Sequence, residues 1–364
     1  MKKENKKVLL GVLITAACFI LFIACIGILW FNKEKLKETS FWFELQKYKN
    51  TIDTNITKDL KFDEYQHNAN RKLDLTSGYN DNEPTHPKIL NFDEPWNGYK
   101  YWIVYSPYPK ANDRYENPNL LASNDRVHFE TPKGLKNPIE DAPKNYKKLV
   151  TYNSDPHLVY NDDKDELEIY YRLVDDSRDE VVIYRLTSKD GVKWSEKEEI
   201  IKATRSKKDY ISPAIIYDDG VYKMWYVDKN NVVKYAEAKG DMKFEDKKTI
   251  TLKYPVYGIS TWHLDVIKTE KGYEMITVAY RNWDDRLYMN LYYFLSSDNE
   301  NFEKGKLILR PSINSWDNQG LYRSSFMYDD GKYYVYYAAI RTDGERGVGL
   351  SYGENIENLI GGNY

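Results

Sequence analysis

Five stretches of the chain follow one plan, and that plan admits few folds. They read THPKILNFDEPWNGYKYWIVYS from Thr85, SDPHLVYNDDKDELEIYYRL from Ser154, ISPAIIYDDGVYKMWYVD from Ile211, WHLDVIKTEKGYEMITVAYRN from Trp262 and YRSSFMYDDGKYYVYYAAI from Tyr322. Each opens on a polar residue, runs through an apolar strand, turns tightly and returns as a Tyr-rich strand. The openings His86, Asp155, Ser212, His263 and Arg323 are 69, 57, 51 and 60 residues apart. Repeats of that period, each holding a hairpin and further strands, predict the blades of a propeller. Five blades enclose one axial pocket, into which the opening residue of each innermost strand would point.

Turn chemistry supports the hairpins: Asn97-Gly98, Asp190-Gly191, Asp219-Gly220, Lys271-Gly272 and Asp330-Gly331 are residue pairs that tolerate positive φ. Outer strands follow in LLASNDRVHFETP, IYRLTSKDGVKWSEKEEII, VKYAEAKGDMKFEDKKTITL and YYFLSSDNENFEKGKLIL, which makes about four strands per blade. The fifth repeat ends at GVGLSYGENIENLIG without an obvious outermost strand. A segment near Arg71–Thr76 is expected to complete that blade and close the ring.

The N-terminus carries a second signal. Val8 to Phe31 is an uncharged, largely apolar run, preceded by Lys2, Lys3, Lys6 and Lys7. At about 1.5 Å rise per residue it spans a bilayer as a helix, and the preceding lysines favour an N-terminus inside. Lys33, Lys35 and Lys37 weaken that bias. A cleaved signal peptide or a lipobox around Cys25 is the rival reading; the length of the run and the lack of a small-residue cleavage site favour an uncleaved anchor. The expected organisation is a cytoplasmic tip and transmembrane anchor over 1–31, a juxtamembrane stalk over 32–60 and an all-β five-bladed propeller over 61–364, outside the cell. Both cysteines, Cys18 and Cys25, lie in the span, so disulfides and thiol chemistry are excluded from the propeller. Residues 1–31 hold four lysines and one glutamate, leaving 49 basic against 55 acidic side chains in the remainder. No basic stripe stands out there, which argues against nucleic acid as a partner. The 34 tyrosines suit half-buried strand positions and sugar contacts alike.

Strand direction brings two classes of residue to one mouth. The first is the set of strand openings, His86, Asp155, Ser212, His263, Asp265 and Arg323. The second comes from returning loops: Arg114, Glu116, Arg172, Asp175, Asp176, Arg281 with Trp283 to Asp285, and Arg341. Carboxylates mixed with imidazoles and guanidinium groups suit glycosidic hydrolysis, which needs one protonated and one ionised carboxyl group. Each residue also has a structural reading: a residue before proline can simply end strand pairing, and Ser212 fits as filler. Trp194 and Phe129 fit as packing between outer strands. No spacing identifies a metal or a cofactor; a structural calcium in the axial channel would have no recognisable ligand set.

The opening Ser154-Asp155-Pro156-His157, the Asp-Gly hairpins with Tyr-rich second strands, and Ser-Lys-Asp-Gly-Val-Lys-Trp at 188–194 resemble the five-bladed propeller glycosidases, the arabinanase, invertase and levansucrase group. That resemblance covers roughly residues 80–360. It implies an Asp at the first blade, an Asp at the second and a Glu at the third. Here His86 and Ser212 stand at the first and third positions, and only Asp155 matches. Tyr-Glu-Asn-Pro (115–118), Trp-His-Leu-Asp-Val (262–266) and Tyr-Arg-Ser-Ser-Phe (322–326) are similar to a glycosidase-like branch of these propellers, which implies a glycan-associated role. The expectation is a membrane-anchored glycoside hydrolase or trans-glycosidase acting on a surface or exported polysaccharide. Glu116 would be the general acid and Asp155 or Asp265 the nucleophile or base. His86, Arg172, His263, Arg323 and Trp262 would bind hydroxyls or an anionic sugar group. The alternatives are a non-catalytic glycan-binding propeller in envelope assembly or export, motivated by the missing triad, and, more weakly, a protein-interaction scaffold.

Overall fold

The computed structural model describes residues 71–76, 79, 83–281, 286, 288–312 and 315–361, all within one compact unit, Phe62–Tyr364. The expected anchor and stalk lie outside the described residues, as does Trp283 to Asp285. Among the described residues no helix is long and apolar enough to cross a membrane.

Among the described residues nineteen strands form five antiparallel sheets. Blade 1 is β1 (Pro84–Trp96), β2 (Tyr99–Pro107) and β3 (Asn119–Ser123), with an outer bridge from Ala122 to Glu130. Blade 2 is β4 (Thr151–Asn161), β5 (Glu166–Asp175), β6 (Glu180–Ser188) and β7 (Glu198–Thr204). Blade 3 is β8 (Ile211–Asp218), β9 (Val221–Val227), β10 (Val233–Ala238) and β11 (Glu245–Ile250). Blade 4 is β12 (Ile259–Thr269), β13 (Gly272–Arg281), β14 (Asn290–Ser296) and β15 (Lys306–Leu309). Blade 5 is β16 (Gly320–Asp329), β17 (Lys332–Ile340), β18 (Arg346–Gly353) and β19 (Ile360–Gly361).

Closure is shared between the two ends of the described chain. Lys72 bridges Gly349 of β18, and the Leu73 amide donates to Val348 O at 2.8 Å. Farther along β18, Ser351 and Tyr352 pair with β19. The expected N-terminal closing segment is therefore present, and a short C-terminal strand lies beside it on the same edge.

An apolar cluster fills each gap between neighbouring blades. Trp102 of blade 1 packs with Leu158 and Tyr171 of blade 2. Tyr170 packs with Met224 of blade 3, Trp225 with Leu264 and Met275 of blade 4, and Ile276 with Phe326 of blade 5. Leu73, Leu75 and Tyr101 meet Tyr336 where the ring closes. Burying a large apolar side chain is worth roughly 1.5–3 kcal/mol, so inter-sheet packing holds the ring. Phe129 and Trp194 join these clusters, as the packing reading expects.

The polar pattern in the outer strands resolves into a recurrent turn. Asp125 accepts from the amides of Val127 and His128, Asp190 from Val192 and Lys193, and Asp298 from Glu300 and Asn301. Each replaces ladder bonds lost at the bend. Asp190-Gly191 thus belongs to this outer turn, whereas Asn97-Gly98, Asp219-Gly220, Lys271-Gly272 and Asp330-Gly331 sit between the first two strands of their blades.

Candidate active site

All five innermost strands carry a bulge at their start, at the opening residue itself in blades 1, 2 and 3 and at Trp262, just before His263, in blade 4. The register shifts fall between Thr85 and Lys88, Ser154 and His157, Ile211 and Ala214, Thr261 and His263, and Leu321 and Ser324. A bulge inserts one unpaired residue and re-aims its side chain. In three blades the following residue is proline, which has no amide proton to lose from the ladder. There the inserted residue is left-handed: His86 has φ 55°, Asp155 52° and Ser212 52°. Such a conformation costs a non-glycine residue on the order of 1–3 kcal/mol.

The bulges gather His86, Asp155 and His263 on the axis. One candidate ligand atom from each lies within 4.8 Å of those of the other two, and all three residues are buried. His86 Nδ1 is 2.8 Å from Ser106 Oγ and 3.4 Å from Glu116 Oε1, so Nε2 is the nitrogen available for a ligand. His263 Nδ1 is 3.6 Å from Asp155 Oδ1, beyond hydrogen-bond reach, and neither ring nitrogen of His263 has a hydrogen-bond partner. A buried imidazole with both nitrogens unpartnered calls for a ligand.

Two guanidinium groups clamp the carboxylate. Arg323 Nη1 is 3.4 Å from Asp155 Oδ1 and Arg172 Nη1 is 3.5 Å from Oδ2, which also accepts from the Ser212 amide at 3.2 Å. Burial alone would raise the Asp155 pKa, but the surrounding His263, Arg323, His86 and Arg172 outweigh it and hold it below the usual carboxylate range. Burial lowers His86 to about 3 and takes His263 well below its ordinary value, so both imidazoles are neutral. Glu116 is pushed well above the carboxylate range, by burial first and then by the charge of Asp155. It follows the 3₁₀ turn Asp113–Tyr115, and its neighbour Asn117 accepts from Asn153 at 2.8 Å, which fastens the loop to blade 2.

Asp265 belongs to a separate layer below. It pairs with Lys88 Nζ at 2.8 Å and accepts from Ser325 Oγ at 2.6 Å. His157 shares that layer: its Nδ1 is 3.3 Å from Arg323 Nη2, and its Nε2 is 2.9 Å from the Ile215 carbonyl oxygen. Ser212 Oγ donates to Leu264 O at 3.2 Å, joining blades 3 and 4 as filler. Beneath lies a cavity of about 670 Å³ at the opposite end of the axis, lined by Leu90, Ile216, Ile267 and Met327 among others. None of Glu116, Asp155, His86, His263, Arg172 and Arg323 lines it, and its Lys88 is already paired with Asp265.

The structure thus brings together Glu116, Asp155, His86, His263, Arg172 and Arg323. Trp262 borders them, its ring 5.3 Å from that of His263. Of the other loop residues, Arg114 lies over the Tyr146 ring, Asp175 binds Ser177 and Arg178, Asp176 pairs with Arg205, and Arg341 with Asp343. Sequence reasoning missed Asp209, which holds Arg172 Nη2 at 2.7 Å. It missed Tyr108, whose ring lies 6.0 Å from that of His86, and Arg346 stacked 4.8 Å over Tyr108.

Known proteins share this frame. No protein-family profile matches the chain. An A type blood N-acetyl-α-D-galactosamine deacetylase of Flavonifractor plautii is 31% identical over 328 residues, covering 73% of this chain and 41% of that protein. The chain therefore spans about two fifths of the curated relative it matches. The crystal structure of an N-acetylgalactosamine deacetylase from F. plautii with blood group B trisaccharide superposes with a TM-score of 0.69 at 25% identity, covering 81% of this chain and 96% of that one. An exo-1,5-α-L-arabinanase from a bovine ruminal metagenomic library gives 0.53 at 16% identity, covering 79% and 96%. The chain has the five-bladed fold of the glycosidase-like propellers, a fold that carbohydrate-active enzymes share.

Proposed function

We propose that this propeller is a carbohydrate-processing hydrolase that removes the N-acetyl group from an amino sugar, with a divalent cation held by His86, Asp155 and His263. One observation carries the reading: two neutral imidazoles and an ionised carboxylate converge within 4.8 Å, and one of the imidazoles has no other partner. Neutral His and ionised Asp are the protonation states that metal binding needs, and the set suits zinc or another first-row ion. Such an ion, when bound, polarises an amide carbonyl and lowers the pKa of bound water. The chain's own residues supply the rest. Glu116 holds a proton beside the site for the departing amine. Arg323 and Arg172 keep Asp155 charged. Tyr108, Trp262 and Tyr322 offer partly exposed rings to a sugar face. The likeness to a deacetylase supports the choice of bond.

Glycoside hydrolysis is the second reading, favoured by a protonated Glu116 near an ionised Asp155. Against it, both Asp155 oxygens face guanidinium groups, and Asp265, the other expected carboxylate, is tied to Lys88. Incubation with N-acetylated oligosaccharides separates the two. The proposal expects free acetate and a glycan of unchanged length, lost in Glu116→Gln. New reducing ends without acetate would establish the second reading instead. We place the enzyme at the cell membrane, anchored through 8–31 with its propeller outside, on the charge pattern around that segment.

A further inference from the structure

Among the described arginines near the site, several already have partners. Arg172 and Arg205 hold Asp209, Arg323 holds Asp155, and Arg286 lies 3.6 Å from the centre of the Trp262 ring. Arg346, at the start of β18, differs. It is 6% exposed. Its Nη1 donates to the Gly344 carbonyl at 3.1 Å, and its guanidinium stacks on Tyr108. Its Nε is buried without a partner, and no carboxylate among the described residues lies within ion-pair distance of it. The Tyr108 ring that it covers lies 6.0 Å from that of His86, which sets Arg346 beside the catalytic cluster.

Charge balance sharpens the point. Asp155 lies against Arg172 and Arg323, Asp209 against Arg172 and Arg205, and Asp176 against Arg205. Among the described residues the Arg346 guanidinium has no carboxylate at ion-pair distance, since the buried Glu83 accepts from its backbone amide at 2.9 Å instead, and a buried cation so placed is unfavourable unless a ligand supplies the negative charge. The sequence pointed to Arg172 and Arg323 for an anionic sugar; the structure shows both engaged with carboxylates.

We propose that Arg346 binds an anionic substituent of the glycan, a carboxylate or a phosphate ester, so that the preferred substrate is an acidic N-acetylated glycan. This rests on the carbohydrate reading above and adds the substrate's charge. A guanidinium meets either oxyanion through paired N–H donors, and Tyr108 fixes the orientation of its plane.

The test is binding of the full chain to an array of N-acetylated glycans in four forms: neutral, uronate-bearing, the same uronates as methyl esters, and phosphate-bearing. Wild type is expected to prefer an acidic form over its neutral counterpart by about tenfold or more, as for a charge-assisted contact. The uronate and phosphate arms identify which anion. Arg346→Gln should lose that preference while still binding neutral glycans, and Arg346→Lys should keep part of it. Equal binding of acid and ester with no gain from phosphate would overturn the proposal, as would an unchanged preference in folded Arg346→Gln. The wild-type comparison of acid with ester decides the matter even where the variant fails to fold. Binding to no glycan in any form would instead reject the carbohydrate reading itself.

Discussion

His86 shows at the scale of one side chain how the fold prepares chemistry. Its bulge places the ring on the axis, Ser106 holds Nδ1, and burial keeps the imidazole neutral to about pH 3. The consequence for stability has a definite sign. As pH falls below about 6.5, the unfolded chain takes up a proton that folded His86 refuses, so stability drops. At about 1.4 kcal/mol per pH unit this amounts to roughly 3 kcal/mol between pH 6.5 and 4. Denaturant unfolding of the metal-free chain should show that slope, and His86→Gln should reduce it; an identical pH profile in the variant would mean the ring is not buried neutral. Asp155 acts lower on the scale. Its depressed pKa stabilises the fold above the ordinary carboxylate value, and that contribution is lost only as acid protonates it.

Elements explain why some of the site was legible and some was not. An X-Pro pair at a strand start marks an inserted residue, and this drew attention to His86, Asp155 and Ser212. His263 and Asp265 do alternate along β12, but the axis is layered, so residues two apart serve different levels. Arg346 begins a third strand and Asp209 precedes β8, beyond the first-strand openings that the repeats advertise. Third-strand starts share the site face, however, so direction alone could have pointed to Arg346. Packing between elements is equally specific. A Cβ on Gly191, at φ 71°, would stand 2.3 Å from the Trp102 ring of the neighbouring blade. Gly191→Ala should cost about 1–3 kcal/mol in denaturant unfolding, against near neutrality if the two blades can slide apart.

Across the whole molecule, the site depends on ring closure, because its ligands come from blades 1, 2 and 4. Five-fold repetition made the ring readable, since periodicity survives without knowledge of contacts. The gathering of His86, Asp155 and His263 was not readable, since no short spacing links them. The layer beneath binds blades 1, 4 and 5 through Lys88, Asp265 and Ser325, all buried. Lys88→Met alone would leave Asp265 unpaired and should cost about 3–5 kcal/mol, while Lys88→Met with Asp265→Leu should recover most of it. No recovery in the double variant would show that the pair does more than neutralise itself.

Metal content of the purified full chain tests the central claim most directly. After equilibration with zinc or manganese and removal of free ion, elemental analysis should find about one ion per chain in wild type and in Glu116→Gln, and almost none in His86→Ala, Asp155→Asn or His263→Ala. A folded wild type that retains no ion, or a His263→Ala variant that retains as much as wild type, would contradict the account.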